Sequence, residues 1–283
     1  MVVDDELIRL LDHAHGQGTA DYGRLMARLY GVADAGVEPI ADGCAVSTGR
    51  HYPINRALEL GMREPIHADE LDAVEAFYRR RGLRAEIELC AFTDRSLIAL
   101  VNARGYQIDR FRNIYVRVPE LLPPDPTSAV RITVTDAGDP LRAEACALLA
   151  AQGFAGHDRP LAADDINRVL ATIGLQRPGA SGYTAWIDDQ PAGAGAMAIA
   201  GDVAVLYSAS TLPAFRRRGV QTALLRARID AAARAGCAWI SVMADPDSKS
   251  ARNIQRAGFA LAYTKLVVWR ALEGAEKAEQ WAA

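Results

Sequence analysis

Two mixed β-sheet domains flanked by helices, an α/β (α+β) chain, are expected from the sequence. Three observations lead there. Strand-like and helix-like spacing of apolar residues alternate along the chain, glycines close the helical stretches, and a proline-rich break falls near the middle. The break is VPELLPPDPTS, residues 118–128, where Pro119, Pro123, Pro124 and Pro126 oppose helix formation and favour an extended spacer. It predicts a first domain over 1–120, a linker over 121–128 and a second domain over 129–283.

In the second half, VRITVTD (130–136) alternates like a strand. PLRAEACALLAAQG (140–153) and ADDINRVLATIG (163–174) space their apolar residues like helices, and each ends in glycine. GYTAWID and PAGAGAMAIAG are two strands joined by the turn residues Asp188, Asp189, Gln190 and Pro191. A strand over 203–212, a helix over 219–235, a strand over 238–243, a helix near 248–257 and a strand over 259–269 complete the half.

The first half reads as a worn copy. ADELDAVEAFYRRRG ends at Gly82 as VQTALLRARIDAAARAG ends at Gly236, and a strand follows each. A short helix and a Gly-aromatic pair come next, Gly105-Tyr106 and Gly258-Phe259. The two glycine intervals are 23 residues (82 to 105) and 22 (236 to 258), and an arginine closes each final strand 12 residues later, Arg117 and Arg270. Matched intervals and matched element order indicate an internal duplication.

Composition narrows the function. The chain has 283 residues, half of them apolar, and a net charge of −3, which argues against a general polyanion binder. The four cysteines are scattered without CxxC or Cys/His spacing, so no disulfide framework and no metal site are expected. No apolar run reaches the length of a membrane span. The start, MVVDDELIRLL, is acidic and amphipathic, unlike a signal peptide. A cytoplasmic protein is expected.

One stretch carries chemistry: LPAFRRRGVQTALL, residues 212–225. It runs from a strand end through Arg216, Arg217 and Arg218 to Gly219 and into a helix. The first N–H groups of a helix have no internal partners and lie at the positive end of its dipole. A glycine lets the backbone approach a ligand, and flanking arginines suit phosphate oxygens. These parts describe a pyrophosphate cradle. The Walker and dinucleotide fingerprints are both absent, and GAGAMA (193–198) lies within a strand.

Here the sequence resembles the GCN5-related N-acetyltransferases (GNAT). TLPAFRRRGVQTALL is similar to that family's acetyl-CoA signature, with Arg216 and Gly219 in place, and SARNIQRAGFALAYTK to its asparagine-to-Gly-Phe segment. The resemblance covers the second half and the last third of the first, so it implies a tandem arrangement with a degenerate N-terminal copy. It implies acetyl-CoA as co-substrate, held between splayed strands 203–212 and 238–243. Ser210, Thr211 and Leu212 would pair with the pantetheine arm. Arg216, Arg217, Arg218, Gly219, Val220, Gln221 and Thr222 would hold the pyrophosphate, and Asn253 would lie near the pantetheine end. Gln221 departs from the family's small residue, and Ile254 stands where many members carry a tyrosine acid. Tyr263 is the candidate substitute, set against packing in the sheet. The first half has no RxxGxG, and Glu64 and Asp69 would repel a phosphate.

The implied reaction is direct transfer of an acetyl group to a primary amine in a ternary complex, with an N–H near Thr211 or Leu212 stabilising the oxyanion. The acceptor is a small molecule or a peptide; no nucleic acid or membrane partner is expected, and a homodimer stays open. Asp164, Asp165, Asp188 and Asp189 are read first as caps and turns, and only second as amine-recognising groups. His13 and His15 face different ways, and His157 is set between a pocket wall and the surface. A non-catalytic acyl-CoA-binding regulator is the alternative.

Overall fold

The structure, a computed structural model, describes residues 3–136 and 138–273. In chain order it contains α1 (Asp5–Tyr30), β1 (Ala35–Ile40), β2 (Gly43–Thr48), β3 (Arg56–Leu58), α2 (Ala68–Arg79), β4 (Ala85–Leu89), α3 (Arg95–Ala103) and β5 (Gln107–Arg117). There follow β6 (Arg131–Asp136), α4 (Pro140–Ala155), α5 (Ile166–Leu175), β7 (Ala180–Ile187), β8 (Gln190–Ala200) and β9 (Val203–Thr211). The last elements are α6 (Val220–Arg234), β10 (Trp239–Ala244), α7 (Lys249–Arg256) and β11 (Ala260–Arg270).

The chain forms two compact units, Met1–Asn113 with Ala262–Ala283, and Ile114–Leu261. Their limits differ from a cut at the prolines, because β5 begins in the first unit and ends in the second, while β11 does the reverse. The two strand-closing arginines follow this exchange. Arg117 donates from Nη1 to the Ala257 carbonyl in the second unit. Arg270 grips both carboxylate oxygens of Glu75 in the first, at 2.8 and 3.0 Å.

In the first unit the sheet runs β1-β2-β3-β4-β11, antiparallel except for the parallel β3/β4 pair. Helix α1 starts where the Asp4 carboxylate accepts from the Leu7 N–H at 2.9 Å, and buries Leu7, Ile8, Leu11, Leu25 and Met26. A separate apolar core joins α2 to β4 through Leu71, Val74, Phe77 and Ile87. The arginines after α2 serve as its C-terminal caps: Arg81 lies 3.6 Å over the Phe77 ring and donates to the carbonyls of Phe77 and Asp34.

In the second unit the order is β10-β9-β8-β7-β6, with β10/β9 parallel and the other pairs antiparallel. Helices α6 and α7 cover one face through Leu224, Leu225, Ile229, Ala251 and Ile254. Helices α4 and α5 pack on the other against Ala194, Ala196 and Tyr207. The proline-rich segment is no loose spacer. Its Leu122 N–H donates to Asp230 at 2.8 Å, and its Pro123 carbonyl accepts from Arg226. Arg226 and Asp230 of α6 thus strap this segment down.

Close approach accounts for the glycine pair in β8. A Cβ on Gly193 would lie 2.5 Å from the Ser210 carbonyl oxygen and 2.8 Å from a Val220 methyl. Gly193→Ala is expected to destabilise the protein by about 1–3 kcal/mol, measured by urea unfolding, because backbone must move to admit the methyl.

Candidate functional site

The site begins where two neighbouring strands part. Parallel pairing of β9 with β10 runs from Val203↔Trp239 to Leu206↔Val242 and ends there, although β9 continues to Thr211. Opposite β8, the register slips between Ala194 and Ala196, so that Ser208 and Ala209 face Gly195 alone. This is a β-bulge, and Ser208 sits at φ +49° within it. From Tyr207 onward β9 thus keeps its β8 partner but has lost β10 on its other edge. The parting of these two strands is what the family resemblance implied; the bulge has no sequence signature strong enough to find it, and the left-handed Ser208 is an ordinary serine in the sequence.

Strand β9 leads into a 3-10 turn, Pro213–Phe215, and then into the arginine turn. Arg217 has φ +63° and Gly219 φ +80°, both left-handed. Such alternation turns successive N–H groups toward one concave side, a backbone nest for anions. Among the described residues no acceptor takes the N–H groups of Arg217, Arg218, Gly219, Val220, Gln221 or Thr222; the first internal bond of the turn is Ala223 N–H to the Gly219 carbonyl at 3.0 Å. A Cβ on Gly219 would meet nothing within 4 Å, so the glycine serves the backbone conformation and leaves the approach open.

The arginines are exposed. Arg218 pairs with Asp188 at 3.3 Å, a surface contact worth little. Arg216 and Arg217 have no ion-pair partner among the described residues. Gln221 does not swing outward: its Nε2 donates to Thr211 Oγ1 at 3.3 Å and ties the helix head to the strand end. Its N–H stays free. This turn borders a groove of about 580 Å³ lined by Arg218, Gly219, Thr222, Arg226 and Val130.

Four further residues are placed less simply. The backbone of Leu212 is spent inside the protein, its N–H on the Ala192 carbonyl and its carbonyl on the Phe215 N–H, both at 3.0 Å. Its N–H is thus unavailable to a pantetheine arm or an oxyanion. Ser210 is buried, donates its hydroxyl to the Ala150 carbonyl at 2.8 Å and pairs with Ala194 of β8. Asn253 is half-buried on α7, its Oδ1 accepting from Arg256 at 3.4 Å. Tyr263 belongs to the first unit. It is buried, and its hydroxyl donates to Asp12 at 2.8 Å. Burial first, and then the Asp12 carboxylate, hold the phenol well above its ordinary pKa. The structure therefore gives Tyr263 the packing role and not that of an acid.

Ile254, at the tyrosine position of the resembled family, is buried in the core under α7. Asp165 caps α5, accepting from Asn167 and Arg168 N–H groups, and Asp188 and Asp189 form the left-handed β7–β8 turn. His13 is exposed and bonded to Glu59 at 2.9 Å while His15 is buried, as their opposed faces require. His157 is half-buried.

The first unit has a corresponding strand-to-helix turn between β3 and α2, and carboxylates of the chain itself fill it. Asp42 accepts from the Gly61 N–H at 2.8 Å and the Arg63 N–H at 2.6 Å. Glu70 accepts from the His67 N–H at 2.8 Å, at the head of α2.

Residues 143–259 match the Acetyltransferase (GNAT) family. No curated protein matches the chain in sequence. Among solved structures, a GCN5-related N-acetyltransferase from Kribbella flavida is similar in fold, with a TM-score of 0.61 and 18% identity over 88% of this chain and 95% of that one. One from Sphaerobacter thermophilus has a TM-score of 0.54 and 16% identity over 71% and 66% of the respective chains. A tandem GNAT protein from the clavulanic acid biosynthesis pathway has a TM-score of 0.50 and 14% identity over 71% and 67%. The stretch that matches the GNAT acetyltransferase family, residues 143–259, lies on the unit that holds the open amide nest.

Proposed function

We propose that the protein is an acetyl-CoA-dependent N-acetyltransferase acting on a primary amine of a small molecule or peptide. One observation carries this reading: among the described residues no acceptor takes the six successive N–H groups, Arg217 to Thr222, at the head of a helix, beside a strand that has parted from its outer neighbour. That combination fits a diphosphate followed by an extended arm with amide groups. Arg216, Arg217 and Arg218 add positive charge. The backbone of Ser210 and Thr211 binds the arm as an added strand, and Asn253 lies near its end. The coenzyme supplies the activated acyl thioester.

The chain's own residues then act by placement. The parted strands hold thioester and amine together, which reduces the entropic cost of their encounter by several kcal/mol. The amine attacks as its neutral form, a C–N bond forms as the C–S bond breaks, the thiolate takes the electron pair, and the amine proton passes to water. An N–H on the open edge of β9, between the bulge and Thr211, rather than the spent N–H of Leu212, would serve as donor to the carbonyl oxygen.

The first half is read as a degenerate copy without a coenzyme site. Asp42 and Glu70 support this, since they occupy the N–H groups that a phosphate would need and would repel one. A second reading, an acyl-CoA-binding protein without turnover, is favoured by the pairing of buried Ile254 with a Tyr263 spent on Asp12. Release of free CoA with an amine panel separates the two.

The test is thermal. Acetyl-CoA at 100 times its Kd is expected to raise stability by about 2.7 kcal/mol. S-acetylpantetheine, which lacks the diphosphate, is expected to leave the melting temperature unchanged at equal concentration. Equal shifts from both would overturn the assignment of the cradle, and no shift from either would overturn the function.

A further inference from the structure

Arg228, on the third turn of α6, is the most deeply buried charged side chain of the second unit, 1% exposed. It has no carboxylate partner among the described residues. Its hydrogen bonds go to carbonyls: Nε to Leu224 at 3.0 Å, and Nη1 to Ala196 at 3.1 Å and Tyr207 at 3.5 Å. Burial pulls its pKa down to about 10, against the phenols of Tyr183 and Tyr207, so the group stays charged at neutral pH.

The position of this cation is specific. Ala196 and Tyr207 are the last regular pair of β8 and β9 before the bulge, and β9 parts from β10 one residue earlier. A carbonyl in a regular ladder lies in the plane of the sheet and is poorly placed for a donor above it. The bulge tilts the strand and exposes both oxygens to α6. Gly195 makes the room: a Cβ there would lie 3.2 Å from the Arg228 Cζ and Nη1. Glycine, bulge and arginine thus form one arrangement.

An uncompensated buried charge is costly, and replacing such an ion by an apolar side chain of similar size is commonly neutral or stabilising. Its retention therefore asks for a return elsewhere. Resting on the acetyltransferase reading above, we infer that Arg228 is the positioning residue of acyl transfer: it holds the β9 bulge in shape and supplies positive potential where negative charge grows on the thioester oxygen. Fixed charge in a dry site stabilises developing charge without reorganisation during the reaction.

The experiment compares wild type with Arg228→Met, which removes charge and hydrogen bonds, and Arg228→Gln, which keeps a donor for the carbonyls of Ala196 and Tyr207. Calorimetry gives the acetyl-CoA Kd, steady-state assays give kcat, and infrared difference spectra give the carbonyl band of bound ¹³C-acetyl-CoA. In wild type the bound band lies below that of the free coenzyme. In both variants it returns toward the free value and kcat falls about 30-fold, while Kd stays within threefold and the melting temperature is unchanged or raised. If Arg228→Met does not fold, Arg228→Gln decides. An unmoved band with unmoved kcat would overturn the role of Arg228 alone. Wild-type protein that bound no acetyl-CoA would overturn the function and this inference together.

Discussion

Gly219→Glu is expected to weaken acetyl-CoA binding by more than 100-fold, about 3 kcal/mol or more, and to leave the fold in place. Two effects add. A residue with a Cβ held at φ +80° costs about 1–2 kcal/mol, so the turn shifts and its N–H groups lose their common direction. A carboxylate at the centre of the nest then takes the place of the diphosphate and repels it. Gly219→Ala separates the effects. Nothing lies within 4 Å of the added methyl, so only the backbone term remains, and a loss of about fivefold to tenfold is expected. Calorimetry on folded protein, with folding checked by circular dichroism, gives both numbers. An unchanged Kd for Gly219→Glu would remove the cradle from the site.

Lys265→Met is expected to have the largest effect on stability. Lys265 is 2% exposed and lies 2.6 Å from Asp12 and 2.8 Å from Glu88. Glu88 also meets Arg56 at 3.4 Å, and all of these groups are buried in the first unit. Removing the lysine leaves two buried carboxylates short of a cation, a loss of about 3–5 kcal/mol and a fall in melting temperature on the order of 10 °C. The pH dependence carries a sign. Burial pushes the Glu88 carboxyl up, but Lys265 and then Arg56 outweigh it and hold it well below the usual range. Its contribution is present above the unfolded carboxylate value, near 4.3, and is lost as pH falls from there. Burial pulls Lys265 down, but Asp12 and then Glu88 raise it above the ordinary lysine value. Its contribution is present below about pH 10 and is lost as pH rises through the folded value. Wild type should hold its stability from about pH 5 to pH 9. In Lys265→Met the buried carboxylates lose a neighbouring cation, so the deficit should narrow as pH falls and they protonate. A deficit independent of pH would show that packing, and not charge, is what the lysine contributes.

Both experiments bear on what could be read before the structure. In the second half the element order was legible almost throughout, from the strand over 131–136 to the one over 260–270, because period and glycine punctuation agree there. The first half was legible only from α2 onward. Helix α1 carries Gly16, Gly18 and Gly23, and β1 carries Gly36 and Pro39, so local preference argues against the elements that form. Packing overrides it.

The site divides in the same way. Arg216 to Thr222 could be named from the sequence, because a helix head leaves its N–H groups unpaired whatever surrounds it, and a glycine beside arginines makes that head a place for an anion. Such features are settled within a few residues. The parting of β9 from β10, the bulge at Ser208 and the placing of Arg228 under it depend on pairings across the sheet. Tyr263 shows the difference most plainly: its partner Asp12 lies 251 residues away in sequence. A phenol that reads locally as either an acid or a packed aromatic becomes a buried donor once the chain returns to the first unit. Hydrogen bonding along the chain obeys local spacing. Which buried charges meet is fixed only when burial has brought distant segments together and left them no other partner.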